Sequence, residues 1–224
     1  MTQPLVTAQS VSKSYGRGAG RIAALVDVSM EIPGSGFTAI AGPSGSGKTT
    51  LLHCLSGLAV PDSGTVSFDG QDLGTLDDDS RTDLRRTAMG FIFQRLNLLP
   101  ALTVAENVAT PLVANAADRA EVRRRTDEVL ELVGIADRAT AFPDELSGGE
   151  LQRVAVARAL ATEPRVIWAD EPTGALDTVA AAEVLDLLTK LAASGVAVVV
   201  VSHDPGVAAR ADLHIALRDG RRTS

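Results

Sequence analysis

The chain has 224 residues, 45% of them hydrophobic and 22% charged, which is the composition of a folded globular domain rather than a disordered chain. Its net charge of −7 argues against free nucleic acid as the main partner, because phosphate contacts require clustered Lys and Arg. The longest apolar run, residues 196–201, is far shorter than the ~18 residues of a membrane-spanning helix, and the one cysteine, Cys54, excludes an internal disulfide. We therefore expect a soluble, cytoplasmic, mixed α/β domain.

Short apolar segments that suggest β-strands are spread along the chain. Residues 5–11 and 24–32 flank a Gly-rich turn, and we expect them to form an antiparallel side sheet. Three later segments lack the alternation of a half-exposed strand and are typical of parallel strands buried on both faces: residues 37–41, 166–169 and 196–201. Strands that alternate with helices predict βαβ units, so the predicted fold class is α/β with a mostly parallel central sheet.

Helical periodicity fills the segments between these strands. The apolar stripes at helical spacing are Leu51, Leu52, Leu55 and Leu58, then Val122, Thr126, Val129, Leu130 and Val133, and finally Val184, Leu187, Leu188 and Leu191. Residues 95–146 show helical patterns and no clear strand, which predicts an inserted helical subdomain. We expect residues 5–94 and 160–224 to form the core, and residues 95–159 to form that subdomain.

A glycine-rich loop follows the predicted strand at 37–41 and opens the first predicted helix. It consists of Gly42, Pro43, Ser44, Gly45, Ser46, Gly47, Lys48 and Thr49. Glycines let backbone N–H groups converge on phosphate oxygens, and the positive end of the helix dipole favours an anion there. In this strand–loop–helix context the motif predicts nucleotide binding, with Lys48 on the β- and γ-phosphates and the Thr49 hydroxyl on Mg²⁺.

Polar side chains also follow three other buried strands. Asp170 and Glu171 end one of them, His203 follows another, and Gln94 follows a probable strand at 90–93. The carboxyl ends of parallel strands meet at one sheet edge, where α/β proteins bind ligands. We expect Asp170 to hold Mg²⁺, Glu171 to polarise an attacking water, and both His203 and Gln94 to face the phosphates.

A second candidate anion site lies at residues 146–153, which run into an apolar helix. Ser147, Gly148 and Gly149 would start that helix and expose backbone N–H groups, with the Ser147 hydroxyl beside them. The alternative is an ordinary capped helix, which the same residues would also form.

Together these motifs resemble those of the ATP-binding subunits of ABC transporters, over essentially the whole chain. The resemblance is carried by Tyr15, the Walker A loop 42–49, Gln94 of the Q-loop, the signature 146–150, the Walker B pair at 170–171, the D-loop 174–177 and His203 of the switch. Residues 94–100 and 170–177 look most like the lipoprotein-release and macrolide-export branch. The resemblance implies a P-loop NTPase fold of ABC type, with an antiparallel side sheet and a helical subdomain.

The resemblance also implies ATP and Mg²⁺ as cofactors and gives each motif a role. Tyr15 is expected to stack on adenine, and Thr49, Gln94 and Asp170 to hold the metal. Further residues expected to contact the nucleotide are the loop 42–49 with Thr50, and Ser147, Gly148, Gly149, Glu150 and Asp177. Catalysis is expected to depend on Glu171, His203, Gln94 and Lys48.

As partners, the resemblance implies a second copy, paired head to tail so that each ATP lies between the loop of one copy and the signature of the other. It further implies a separate membrane permease, which would hold the chain at the inner face of the cell membrane. Four leucines beside Gln94 either pack against the sheet or form a groove for a short permease helix: Leu96, Leu98, Leu99 and Leu102.

Other functions remain open at this point. The same ATPase could act as a mechanical switch on a membrane protein of the cell envelope instead of driving transport. A nucleic-acid-associated ATPase is disfavoured by the net charge and by the absence of a long coiled-coil insertion. A GTPase is excluded because the sequence has no Asn-Lys-x-Asp motif to read guanine.

Overall fold

The computed structural model describes residues 3–223, except for the side chain of Ala19, and this part of the chain folds into two β-sheets with seven α-helices. The strands are β1 (Val6–Tyr15), β2 (Ile22–Ile32), β3 (Gly36–Ala41), β4 (Ser63–Phe68), β5 (Gln71–Asp72), β6 (Met89–Ile92), β7 (Val166–Asp170), β8 (Ala197–Ser202), β9 (Leu213–Arg218) and β10 (Arg221–Arg222). The helices are α1 (Lys48–Leu55), α2 (Asp78–Ala88), α3 (Val104–Ala114), α4 (Arg119–Val133), α5 (Gly148–Leu160), α6 (Thr178–Ala193) and α7 (Pro205–Ala208).

The larger sheet has the strand order β10-β9-β3-β8-β7-β6 and is parallel except at β10. Ala41 at the end of β3 lies opposite Ser202 at the end of β8, and Asp170 at the end of β7 lies opposite Val201. The predicted parallel sheet is therefore confirmed, and its register brings three strand ends to one edge. Every residue of β7 and β8 is buried, as expected for strands covered by helices on both faces.

The smaller sheet is antiparallel, with the order β2-β1-β4-β5, which confirms the predicted side sheet. Its first strand continues to Tyr15, four residues beyond the predicted end at Val11. The apolar pattern stops at Val11, but the ladder with β2 continues after an irregularity at Ser10, where φ is +49°. Cross-strand hydrogen bonds, which no local pattern reveals, carry the strand onward.

The helices follow the predicted stripes, with one exception. Gly134, at a φ of +72°, ends α4 as the pattern predicts. The extension of α1 to Leu58 is wrong: α1 ends at Leu55, Gly57 turns the chain at a φ of +68°, and Leu58 is exposed. Helices α3, α4 and α5 pack against one another and supply one part of the core. Within residues 3–223, no helix combines the length and hydrophobicity needed to cross a bilayer.

Candidate nucleotide-binding site

The glycine-rich loop connects β3 to α1 and is tightly enclosed. A Cβ atom at Gly42 would lie 2.2 Å from the Leu217 carbonyl oxygen, and one at Gly47 would lie 2.3 Å from that of Ala24. Gly47 also has a φ of +99°, which disfavours any side chain. The loop therefore needs glycine at both positions, and its N–H groups stand at the N-terminus of α1, where an anion is favoured.

The turn between β9 and β10 packs against this loop and is hydrogen-bonded to it. The Gly220 N–H donates to the Ser46 carbonyl oxygen at 3.0 Å, and the Gly220 carbonyl oxygen accepts from the Val26 N–H at 2.8 Å. The turn residues Asp219 and Gly220 both have positive φ, which an Asp-Gly pair adopts readily in a two-residue hairpin. The dipeptide could have predicted the hairpin from sequence, but not its contact with the loop.

A matched pair of substitutions tests this support. The β4–β5 hairpin carries the same dipeptide, Asp69-Gly70, with φ values of +51° and +79°, against +49° and +74° at Asp219-Gly220. A Cβ at Gly70 meets nothing within 4 Å, whereas one at Gly220 would lie 2.8 Å from the Ala24 carbonyl oxygen. Gly70→Ala and Gly220→Ala should both cost about 1–2 kcal/mol of stability through the positive φ.

Only Gly220→Ala should weaken ATP binding as well, by about tenfold or ~1.4 kcal/mol, because the turn must move away from the loop. Thermal melting gives the stability of both variants, and calorimetric titration gives their affinity for ATP. Equal affinities in the two variants would show that the turn does not support the loop.

The buried Lys48 ammonium lies where the loop meets the sheet edge. Its Nζ donates to the carbonyl oxygens of Gly42 at 2.9 Å and Pro43 at 3.1 Å, and lies 3.9 Å from Glu171 Oε1. The pair is screened from water, because only 7% of the Lys48 side chain and 13% of the Glu171 side chain are exposed. The structure thus joins the loop to the carboxylates at the ends of the strands, as the sequence predicts.

Two oxygen ligands suited to Mg²⁺ stand side by side at this edge. The Thr49 hydroxyl donates to Asp170 Oδ1 at 3.1 Å. Burial raises the pKa of Asp170, with the Thr49 hydrogen bond acting in the opposite direction, so a bound cation would relieve the cost of the charged form. Within residues 3–223 no cluster of three His, Cys, Asp or Glu side chains could hold a metal. The Thr49 hydroxyl and the Asp170 carboxylate are oxygen donors, the ligand type that fits Mg²⁺ beside a phosphate group.

The Glu171 carboxylate is held at both oxygens. Oε1 lies 2.9 Å from His203 Nδ1, and Oε2 accepts from the Ser202 hydroxyl at 3.0 Å. Glu171 has a φ of +46°, a conformation that non-glycine residues avoid and that is concentrated at functional sites. The structure brings the predicted Glu171 and His203 together. Sequence reasoning missed Ser202, whose position at the end of a buried strand was the available signal.

Gln94 is exposed just after β6 and opens onto a cavity of about 760 Å³. Glu171 and Gly148 line the same cavity, so the segment after β6 and the start of α5 both border the Glu171 carboxylate. Gln152 also lines it. This side chain is 4% exposed, and its Nε2 has no hydrogen-bond partner among the described residues.

The second anion-site candidate is a helix N-terminus with a complete capping box. The Ser147 Oγ accepts from the Glu150 N–H at 3.4 Å, while Glu150 Oε2 accepts from the Ser147 N–H at 2.9 Å. Hydrogen bonds from Ser147 hold the pKa of Glu150 below its usual value. The ordinary capped helix is thus present, yet it leaves the first-turn N–H groups of Gly148 and Gly149 without intrahelical acceptors.

Two further predicted residues lie at the margins of these elements. Asp177 caps α6 and accepts from the N–H groups of Val179 and Ala180, both at 2.9 Å, while it lines a groove with Ser147. Tyr15 ends β1 opposite Ile22, and its ring is 47% exposed. In the same strand as Ile22, the Ala24 carbonyl oxygen lies against Gly47, so this end of the small sheet adjoins the loop.

Comparison with known proteins agrees with this geometry. The family model described as "ABC transporter" matches residues 25–174. The chain is 47% identical over 221 residues to the lipoprotein-releasing system ATP-binding protein LolD of Bordetella pertussis, covering 98% of this chain and 96% of that one. It is 45% identical to the macrolide export ATP-binding/permease protein MacB of Shigella flexneri, covering 97% of this chain but 34% of that longer protein.

Solved structures give the same result. The dimeric structure of MJ0796, a bacterial ABC transporter cassette, matches with a TM-score of 0.90 and 42% identity, covering 98% of this chain and 97% of that one. A second dimeric structure of MJ0796, in a post-hydrolysis state with ADP and Pi, matches equally well. The glycine-rich loop, the paired carboxylates and these relatives together identify the chain as a member of the ABC transporter family, an ATP-binding cassette that hydrolyses ATP.

Proposed function

We propose that two copies of the chain close head to tail around ATP and drive a separate membrane permease at the inner face of the cell membrane. The helix terminus of α5 carries the proposal. Ser147 and Gly148 are exposed, and the N–H groups of Gly148 and Gly149 are not used by their own helix. An exposed anion site apart from the glycine-rich loop is suited to the phosphates of an ATP bound to the loop of a second copy.

In the proposed mechanism, side chains of one copy bind the nucleotide and activate the attacking water. The Lys48 ammonium exchanges its loop carbonyls for the β- and γ-phosphates, and the ring of Tyr15 stacks on adenine. Thr49, Asp170 and Gln94 would hold Mg²⁺, and the ion would supply positive charge at the phosphates. Glu171 accepts a proton from the attacking water, while His203, at 2.9 Å, orients that carboxylate and faces the γ-phosphate.

The partner copy would complete this site. Its Ser147, Gly148 and Gly149 would donate to the γ-phosphate, and Glu150 would keep that helix terminus in shape through the capping box. Two-fold symmetry then gives two equivalent sites per dimer. We further propose that residues 95–159 move as one helical subdomain against the core, so that ATP binding closes the dimer and hydrolysis reopens it.

Ser147→Arg tests whether the sites are shared. A long cation at this exposed position should leave ATP binding to single chains unchanged but prevent dimer closure, lowering hydrolysis by at least about a hundredfold. Lys48→Ala should remove the same activity through the other half of the site. A mixture of the two variants contains dimers with one site that keeps both wild-type halves.

The mixture should therefore recover nucleotide occlusion that neither variant shows alone, as measured by retention of labelled ATP on a desalting column. A mixture as inactive as its components would contradict shared sites. Occlusion of labelled ATP by Ser147→Arg alone would contradict the role of the N-terminus of α5.

The permease would dock in a cavity of about 520 Å³ between α2, β6, α3 and α5. Its wall includes the stacked rings of Phe91 and Phe93, whose centroids are 5.6 Å apart, and Pro111 of α3. Arg85, Arg86 and Arg158 also line the cavity, and their guanidinium groups are suited to carboxylates of a permease helix. This cavity adjoins the segment after Gln94, so permease contact and γ-phosphate contact would be coupled.

The four leucines that the sequence placed either against the sheet or in a permease groove do not line this cavity. Leu96 and Leu98 pack on the core and line the cavity beside Gln94 and Glu171, and Leu99 is half exposed. Of the two sequence-based alternatives, packing therefore describes Leu96 and Leu98. A serine at position 98 would disturb the core, so it is a poor test of docking.

Ala114→Arg is a sharper test of docking. Ala114 is exposed at the end of α3 and lines the cavity, and a cation there suits the helix C-terminus. The variant should keep its intrinsic ATPase rate. In reconstituted vesicles, the stimulation of that rate by the permease should fall about tenfold. Ala193→Arg is the matched control, because Ala193 is the exposed last residue of α6 and lies outside the cavity. Equal stimulation of both variants would contradict docking in this cavity.

A transport role is favoured over a mechanical switch, because the relatives are named for lipoprotein release and macrolide export. Both the transport role and the mechanical switch would use the same ATPase activity and the same docking cavity. Co-purification of the chain with its membrane partner, followed by transport assays in vesicles, distinguishes the two functions.

A further inference from the structure

Ser202, the last residue of β8, touches the carboxylate proposed to activate water. Its hydroxyl donates to Glu171 Oε2 at 3.0 Å and accepts from the Asp204 N–H at 3.1 Å. Ser202 is 2% exposed, so both hydrogen bonds are shielded from solvent. A serine hydroxyl has one proton, and the Asp204 N–H occupies its acceptor side. The proton is therefore directed at Glu171.

This contact completes the fixation of the carboxylate. Lys48 and His203 both lie near Oε1, at 3.9 Å and 2.9 Å, and Ser202 is the described partner of Oε2. Partners at Oε1 alone leave the carboxylate free to rotate about the bond that carries it. A donor on the second oxygen fixes the plane of the group and thus the direction of its remaining lone pairs.

The backbone supports the same arrangement. The Glu171 N–H donates to the Val201 carbonyl oxygen at 2.9 Å, and β7 and β8 are neighbours in the sheet. Ser202 is therefore attached to the rigid strand that already holds the Glu171 backbone. Positions on rigid elements place side chains more exactly than loops do.

We propose that Ser202 is a positioning residue for ATP hydrolysis, which orients the Glu171 carboxylate toward the attacking water. The inference rests on the proposed role of Glu171 as the base. It goes beyond that role, because it assigns the orientation of the base to a side chain that contacts neither nucleotide nor metal in the proposed mechanism.

The test compares three variants at this position. Ser202→Ala removes the hydroxyl, Ser202→Thr keeps it, and Ser202→Val has the shape of threonine without the hydroxyl. Because Ser202 acts on the base and not on the nucleotide, kcat should fall about tenfold to thirtyfold in Ser202→Ala and Ser202→Val, with KM for ATP within about twofold. Ser202→Thr should recover kcat to within about threefold of the wild type. Thermal melting of Thr and Val variants controls for the added methyl group.

A double variant makes the test specific. If Ser202 acts through Glu171, Ser202→Ala should slow single-turnover hydrolysis in the wild-type background but not in a Glu171→Gln background. Equal kcat in the Thr and Val variants, or an equal further loss in the Glu171→Gln background, would overturn the inference for Ser202. Wild-type hydrolysis by Glu171→Gln alone would instead overturn the proposed base, so the two failures are distinguishable.

Discussion

Replacing Glu171 with Gln should lower ATP hydrolysis by about 10²–10⁴-fold while leaving ATP affinity within about twofold. The amide keeps the size of the side chain and can still accept from Ser202, but it cannot take a proton from water. Since ATP would bind without being hydrolysed, the variant should accumulate as a dimer with ATP and Mg²⁺. Size-exclusion chromatography measures the dimer, and phosphate release measures the rate.

Glu131→Gln provides the control, because Glu131 is an exposed carboxylate of α4 remote from the strand ends. It should hydrolyse ATP at the wild-type rate and stay monomeric under the same conditions. Hydrolysis by Glu171→Gln near the wild-type rate would show that another group accepts the proton. Slow hydrolysis with no dimer would separate the chemical role of Glu171 from the proposed closure.

Lys48→Ala should weaken ATP binding by at least about a hundredfold, or ~2.7 kcal/mol. The ammonium is the buried cation of the loop, and a charge-assisted hydrogen bond to phosphate in a shielded site is among the stronger polar interactions. The substitution also removes the cation 3.9 Å from Glu171 and leaves the Gly42 and Pro43 carbonyl oxygens without their donor. Titration with ATP measures the affinity.

Lys190→Ala is the matched control, because Lys190 lies exposed in the last turn of α6. Its ATP affinity should equal that of the wild type. Thermal melting of both variants shows whether Lys48→Ala still folds. An unchanged affinity in a folded Lys48→Ala would mean that the loop binds phosphate through its backbone alone.

The hydrogen bond between Gly220 and Ser46 is a contact that the sequence could not predict. The loop residues form a local motif, and the strand before them and the helix after them are readable from short apolar runs and periodicity. The hydrogen bond from Gly220 to Ser46 joins residues far apart in the chain. No spacing rule predicts it, because it depends on how β9 and β10 pair beside β3.

The N-terminus of α5 was also only partly predictable from the sequence. Its sequence allowed both an anion site and an ordinary cap, and the structure contains the cap, through Ser147 and Glu150. The capping box is a local interaction and is therefore readable from spacing. Whether the free N–H groups of Gly148 and Gly149 meet a phosphate depends on a second chain, so that part stays a prediction.

By itself, the sequence determined the α/β class, the antiparallel side sheet, the phosphate loop and the carboxylates at the strand ends, because all of these arise from residues that are neighbours in the chain. Only the tertiary structure decided that Ser202 holds Glu171, that the β9–β10 turn supports the loop, and that Leu96 and Leu98 pack on the core. These are contacts between distant segments, and their geometry is set by strand register and by the packing of helices, which periodicity and spacing do not encode.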